Sequence, residues 1–525
     1  MSNSIALING KIVALDSSES RYDALVIEAG RISCLGNGSD LKRYAAERNI
    51  EVVELGGRAV LPGAIDTHFH LTITGMHLSS IDFSACRSID EVLQLLREHA
   101  ASGQGGRWIV GKGLDEFDLK EKRPPSAQEL DRVCNSSPAF IEDRGYHYVL
   151  VNSLAFSRLG ISPEARGVRK SPDGKAISGQ LMEEVTGDAR RMLLSLMDDS
   201  QKRDVLLNGA SYAASCGITT LHAIEGGPTT SDGEIPLVFE LKDQLPVRVK
   251  VYWCTTEVGA VVDRGEKAFG GDILLDGNLG SRTAALVEPY ADEPSYAGEL
   301  YFSQEEVNDL VAAAVKAGLQ IGFHAIGDRA IEQALVAFEK AASGRPALER
   351  PFRLDHFGIP TPDQVRRAAT LGVVIATQPP FPFRRSRPGG VYESRLGTAR
   401  VKRAYPLREL LDAGLLVAGG SDSSVMPADY MLGVHSAVNH PFPDQRLTRE
   451  EALQLYTHNG ACMGFEESEK GALEIGKLGD VVVLGKDPLG APEAEIKDIP
   501  VDLTIKGGEV VYDRLQGHRV GASGA

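Results

Sequence analysis

The sequence predicts an α/β fold, a (β/α)8 barrel of the TIM type carrying a small β-sandwich built from both chain ends and an insertion after its first strand. Three observations point to it. Apolar runs that end in polar residues alternate with capped helices through the second half of the chain. Both termini are written in β-strand grammar, and the region after the first barrel strand breaks the alternation.

At the N-terminus, IALINGKIVAL carries an Asn9-Gly10 hairpin signal, ALVIEAGRISCLG turns at Gly30, and VVELGGRAVLPG follows. At the far end, GDVVVLGKDP and VDLTIKGGEVVYD are again β-branched runs, the second turning at Gly507-Gly508. The resulting division is 1–60 as the N-terminal half of the β-sandwich, 61–71 as barrel strand 1, 72–210 as inserted subdomain, 211–465 as the rest of the barrel, 466–515 as the C-terminal half of the β-sandwich, and 516–525 as a frayed tail.

Within the barrel segment QIGFHAIGD, FRLDHFG, GVVIATQ and LLVAGGSD have the continuous apolar character of fully buried parallel strands. Capping boxes at Ser303/Glu306, Thr361/Gln364 (with Pro362 at the first helical position) and Thr448/Glu451 start the helices between them. Periodicity alone also fits a doubly wound open sheet. The insertion contributes helices and two strand-like pieces, RWIVGKG and PAFIEDRG, before GITTLHA resumes the rhythm.

With 525 residues the chain exceeds one ordinary domain, and 42% hydrophobic with 24% charged residues is the balance of a globular protein with a real core. A net charge of −16 opposes nucleic acid or an anionic membrane as partner. No basic leader precedes a long apolar core and no apolar run reaches about 18 residues, so a cytoplasmic protein with a small-molecule substrate is expected. Its six cysteines lack CxxC spacing, which argues against a disulfide framework or a thiolate zinc site. Homo-oligomerisation is the general expectation for soluble enzymes.

The chemistry concentrates at strand ends. In AVLPGAIDTHFHL, His68 and His70 are two apart on a strand, so both imidazoles point the same way. His324 ends QIGFH, His356 ends FRLDH and Asp422 ends VAGGSD, each where a barrel strand delivers residues to the catalytic rim. Core histidines would not all choose that end. Such a set holds a divalent ion while leaving a position open for water. No GxxxxGK[ST] phosphate loop and no GxSxG nucleophile elbow occurs.

These pieces, together with GQLMEE, DGNLGSRTAAL, HAIGDRA, LDH, GSD and LGDVVVLGKDP, resemble the amidohydrolase superfamily, and within it the branch called amidohydrolase family 3. The resemblance spans nearly the whole chain. It implies a distorted barrel holding one or two divalent ions, usually zinc, with His68 and His70 as ligands from strand 1, His324 and His356 from strands 5 and 6, and Asp422 from strand 8 as ligand and acid/base. His356 is then either a second-ion ligand or a proton partner beside a single ion. One departure stands out. Where that branch commonly carries a lysine whose carbamate bridges two metals, GGDILLDG places Asp272. A single-ion or asymmetric site is therefore favoured, with Asp272 itself or Glu183 as the other possible bridges.

Further pocket candidates are Arg282 in GSRTAAL, His147 in RGYHYVLVNS, His222 ending GITTLH, Glu183 in GQLMEE and Asp115 in GKGLDE. The segment FPFRRSRPGGVYESRLGTARVKR follows strand 7, and its Arg384, Arg385, Arg387, Arg400 and Arg403 either steer a carboxylate or form a solvated loop. The function expected is hydrolysis of a C–N bond in an amide, formamide, lactam or cyclic imide. A ring-amidine deaminase on the same ligands, distinguished by ammonia release, and a scaffold that has lost its metal are the alternatives.

Overall fold

The computed structural model describes residues 4–16, 21–102, 106–144, 148–171, 174, 177–182, 184–227, 230–343 and 350–515. His147, Glu183 and the 516–525 tail lie outside the described residues. The chain divides into two compact units, one made of 1–70, 210–224 and 242–525, the other of 71–209 and 225–241.

In the first unit the two ends of the chain meet in one eight-stranded sheet. Val481–Leu484, from the C-terminal end, pairs antiparallel with Ala59–Pro62, which runs parallel to Ile5–Val13. Strand alternation sorts the side chains. Ile5, Leu7, Leu25, Ile27, Val481, Val483, Leu503 and Ile505 pack as one core, while Ala6, Ile8, Ala24 and Val26 pack with Leu41 and Ala45 of the helix Gly38–Arg48. The turns expected at Gly30 and Gly507-Gly508 join paired strands with positive φ. The hairpin expected at Asn9-Gly10 is not there. Ile5–Val13 is a single strand whose register slips between Ile8 and Ile12, with Asn9 at φ 57°. Asn-Gly tolerates positive φ, and here that freedom makes a bulge because Glu51–Glu54 and Ala59–Pro62 pair with successive halves of the same strand.

Eight strands carry the centre of this unit: β1 (Ala64–Phe69), β2 (Ile218–Glu225), β3 (Arg248–Trp253), β4 (Ala268–Leu274), β5 (Gln320–Ala325), β6 (Arg353–His356), β7 (Val374–Thr377) and β8 (Leu416–Gly419). β1, β2 and β3 form one sheet and β4 to β8 another, in sequence order, and β1/β2 and every pair from β4 to β8 run parallel. Beyond β8 the chain meets β1 again through a parallel bridge of Phe69 with Ser423. The three capping boxes are present at Ser303, Thr361 and Thr448, with Pro362 in the first turn of its helix.

Among its described residues the second unit holds six strands rather than the two pieces legible in its sequence. Val168–Lys170, Ile177–Met182, Tyr148–Val151, Ala139–Asp143, Ile109–Leu114 and Ile81–Asp82 are adjacent in that order. Several of these strands are too short for a period of two to register. No helix of the described residues is long and apolar enough to cross a membrane.

Candidate metal centre

His68, His70, Asp272, His324, His356 and Asp422 converge at the ends of β1, β4, β5 and β6 and in the loop after β8, all buried. Each is delivered by a local device. β1 presents His68 and His70 on one side, and Asp66 fastens that strand end by accepting from the backbone N–H groups of His68 (3.1 Å) and Ser421 (2.9 Å). Burial pushes the Asp66 carboxyl up to about 6 against those hydrogen bonds. The N–H of Asp422 donates to the His68 carbonyl at 2.8 Å. A Cβ on Gly420 would stand 2.7 Å from the His68 nitrogen, so the crossing needs a residue without one. His356 and Asp422 sit at φ 69° and 57°, left-handed backbone that side chains rarely adopt and that collects at functional sites.

Asp272 owes its position to a β-bulge. Gly270 and Gly271 have φ 84° and 88°, and the β4/β5 register slips between Gly270 and Ile273. A Cβ on Gly270 would lie 2.2 Å from the Gly322 carbonyl oxygen, closer than any real contact. The extra backbone re-aims the short aspartate side chain into the cluster. There Asp272 Oδ1 lies 3.0 Å from His324 Nδ1 and 3.8 Å from His356 Nε2, and Oδ2 lies 3.8 Å from His70 Nε2.

Three sets of ligand atoms lie within 4.8 Å of one another: His68, His70 and Asp272; Asp272, His324 and His356; His68, His356 and Asp422. The first two share Asp272 and nothing else. Asp422 adds to the first, with Oδ1 3.0 Å from His70 Nε2 and 3.6 Å from His68 Nε2. His68 Nε2 is fully buried without a hydrogen-bond partner among the described residues, which leaves a lone pair able to bind a cation. The electrostatics agree. Burial alone would raise the carboxyls of Asp272 and Asp422, yet the surrounding imidazoles hold both below the usual range. Burial resists charging His324, but Asp272 and Asp276 hold its ring up at about 9. The donor set suits a divalent cation of the zinc type.

A second layer fixes the imidazoles. His68 Nδ1 bonds Asp355 Oδ1 at 2.7 Å, and Arg353 grips that carboxylate with two hydrogen bonds of 2.6 and 2.8 Å while donating to the Thr67 carbonyl. Arg353 is wholly buried and lies over Tyr252, 4.1 Å from the ring centre. His356 Nδ1 donates to Gln378 Oε1 at 2.7 Å, which turns Nε2 toward Asp272. Asp276 accepts from the N–H groups of Ala285, Ile326 and Gly327 and so ties the loop after β4 to the end of β5. Asp66, Arg353, Asp355, Asp276 and Gln378 escaped sequence reasoning, although a charged pair two apart in the apolar strand RLDH is itself a signal, since buried charges persist only when paired.

The other candidates have partners of their own. His222 is buried behind the Arg353 guanidinium at 3.4 Å, and burial followed by that charge drives its pKa well down. It supports Arg353 instead of facing the ligand cluster. Arg282 forms a two-pronged pair with Asp292 at 3.0 and 3.1 Å. Asp115 pairs with Arg144 within the second unit. Arg400 donates to the carbonyls of Glu288 and Pro289, Arg403 to that of Pro360, and Arg387 to that of Phe383.

Residues 51–512 match the model of a family described as amidohydrolase family. The chain is 27% identical to the N-substituted formamide deformylase of Arthrobacter pascens, over 97% of this chain and 98% of that protein. It is similar in structure to an uncharacterised metal-dependent hydrolase of Pyrococcus furiosus (TM-score 0.79, 28% identity, covering 93% of this chain and 100% of that one). A second, from Pyrococcus horikoshii, gives TM-score 0.78 and 27% identity over 94% of this chain and 99% of that one.

Proposed function

The chain belongs to the amidohydrolase family, and from that premise we propose a hydrolase that uses two divalent ions, zinc by donor chemistry, to cleave the C–N bond of a small amide, formamide, lactam or cyclic imide. The observation that carries it is Asp272, the only carboxylate shared by two of the three ligand triads, those of His68/His70 and His324/His356, which a third set of His68, His356 and Asp422 joins. The sequence favours a single ion because aspartate is shorter than a carboxylated lysine; the Gly270-Gly271 bulge supplies the missing reach. His68, His70, Asp422 and Asp272 would hold one ion, and Asp272, His324 and His356 the other. The formamide deformylase relative makes an N-substituted formamide the first substrate to try.

Such ions supply Lewis acidity that activates water and polarises a carbonyl. The protein's own contribution is positional and protonic. Asp422, ionised and 3.0 Å from His70 Nε2, takes the proton of the attacking water and returns it to the leaving nitrogen. Asp355 and Gln378 hold His68 and His356 in the tautomers that leave their Nε2 lone pairs for binding. We read β1 to β8 as a distorted TIM-like barrel whose rim carries these groups, with 1–60 and 466–515 as its attached β-domain, one eight-stranded sheet where the sequence suggests a sandwich, and 72–210 as its insertion.

The experiment is elemental analysis of the purified chain with assay of a formamide and amide panel, for the native protein and Asp422→Asn. About two ions per chain and C–N hydrolysis that falls by about 10²–10⁴ in the variant are expected. A metal-replete protein that releases ammonia from ring amidines and leaves every amide intact would overturn the amide reading.

A further inference from the structure

We propose that Arg385, with the hydroxyls of Tyr392 and Tyr405, recognises a carboxylate on the substrate, so that the enzyme prefers anionic amides; this rests on the hydrolase reading above.

The arrangement begins at the end of β7. Gln378, which orients His356, is followed at once by the helix Pro380–Arg385, and Phe381 and Arg385 are four residues apart on one face of it. The Phe381 ring lies parallel to that of His356, centroids 6.2 Å apart and planes at 11°. The Arg385 guanidinium lies 4.8 Å from the centre of the same Phe381 ring. This cation and His356 thus contact the same aromatic ring.

Two tyrosines complete the set. The Tyr405 ring meets Phe381 edge-on at 5.8 Å and stacks with Tyr392 at 6.3 Å. The Tyr405 hydroxyl is fully buried against that of Tyr392 and makes no hydrogen bond of good geometry among the described residues. The Tyr392 hydroxyl, also buried, lies against Arg385. Burial, opposed by the Arg385 guanidinium and helped last by the Asp422 carboxylate, holds both phenols above their ordinary range.

Like Arg384, Arg387 and Arg403, Arg385 pairs with no carboxylate among the described residues; it differs from them in being half-buried without a backbone carbonyl to receive its charge. Arg395 pairs with Asp292, and Arg387, Arg400 and Arg403 donate to backbone carbonyls. Arg384 projects into solvent. Arg385 is half-buried and pairs with no carboxylate among the described residues, in a chain of net charge −16. A guanidinium with two phenol donors matches a planar carboxylate. Its place, on the ring that His356 also contacts, suits an acid a few bonds from the scissile carbonyl.

The test uses the metal-loaded protein and a series of formamido carboxylic acids of increasing chain length, each paired with its neutral primary amide. Binding is read by calorimetry and turnover by formate release. At the best length the acid should bind at least about tenfold tighter than its amide. Arg385→Ala should abolish that preference, Arg385→Lys should retain some of it, and Tyr405→Phe should weaken the acid alone. Equal binding of acid and amide at every length, or a preference that survives Arg385→Ala, overturns the proposal. Preferential binding of the acids with no hydrolysis of any member, nor of any amide, lactam or cyclic imide, would instead leave this site standing and sink the hydrolase reading.

Discussion

Asp355 Oδ1 lies 2.7 Å from His68 Nδ1, with both side chains wholly buried and Arg353 closing the far side of the carboxylate. The pair turns a strand residue that could adopt either tautomer into one whose Nε2 faces the ligand cluster. It also balances a buried guanidinium that would otherwise carry an uncompensated charge.

Asp355→Asn should therefore act twice. Removing the oriented acceptor lowers metal affinity by about 10–100-fold, read by competition with a chelator of known affinity. Leaving Arg353 without its counter-charge costs about 3–5 kcal/mol, read by denaturant unfolding of the metal-free protein. Unchanged values in both measurements would show that the Arg353–Asp355 pair supports neither.

The bulge in β4 is testable by a single methyl group. In Gly270→Ala the new Cβ meets the Gly322 carbonyl and the residue must keep φ 84°, so a destabilisation of more than about 1 kcal/mol is expected. If the bulge is what aims Asp272, metal content should fall with it.

Asp272→Asn keeps a hydrogen-bonding oxygen but loses the charge that two ligand triads share. The expected outcome is a fall from about two ions per chain to about one or fewer on elemental analysis, with the His68/His70 position retained. Two tightly held ions in the variant would mean that another carboxylate does the bridging.

Acid stability should show the Arg408–Glu451 pair at the start of the helix Arg449–Leu455. The hydrogen bond to Arg408, opposed by burial and helped by Thr448, lowers the Glu451 pKa to about 2 from an ordinary 4.5. A carboxyl depressed in the folded state gives stability that is present above its unfolded pKa and disappears as pH falls through the folded one. Unfolding midpoints of the native protein and Glu451→Gln should thus differ at pH 6 and converge between about pH 4.5 and 2, by a modest amount because both side chains are partly exposed.

Much of the candidate site was legible in the sequence because its residues sit at strand ends, and strand ends are marked by where an apolar run stops. His68, His70, His324, His356 and Asp422 all follow that rule, and the three capping boxes placed the intervening helices through chemistry confined to four consecutive residues. Asp272 was legible as a residue but not as a reach. Its role turns on a register slip against β5, which is a property of two strands and not of one.

What the sequence determined by itself is local: strand and helix periods, caps, and the residue types able to bind a cation. Tertiary structure decided the rest. It converted Asn9-Gly10 from a hairpin into a bulge, set Arg353 and Asp355 behind His68 and His222 behind Arg353, and left Arg385 beside Phe381 without a counter-ion. Each of these depends on distances between segments remote in the chain, and hydrogen bonds and charge pairs form between whatever side chains packing brings within about 3–4 Å, however far apart they are in sequence.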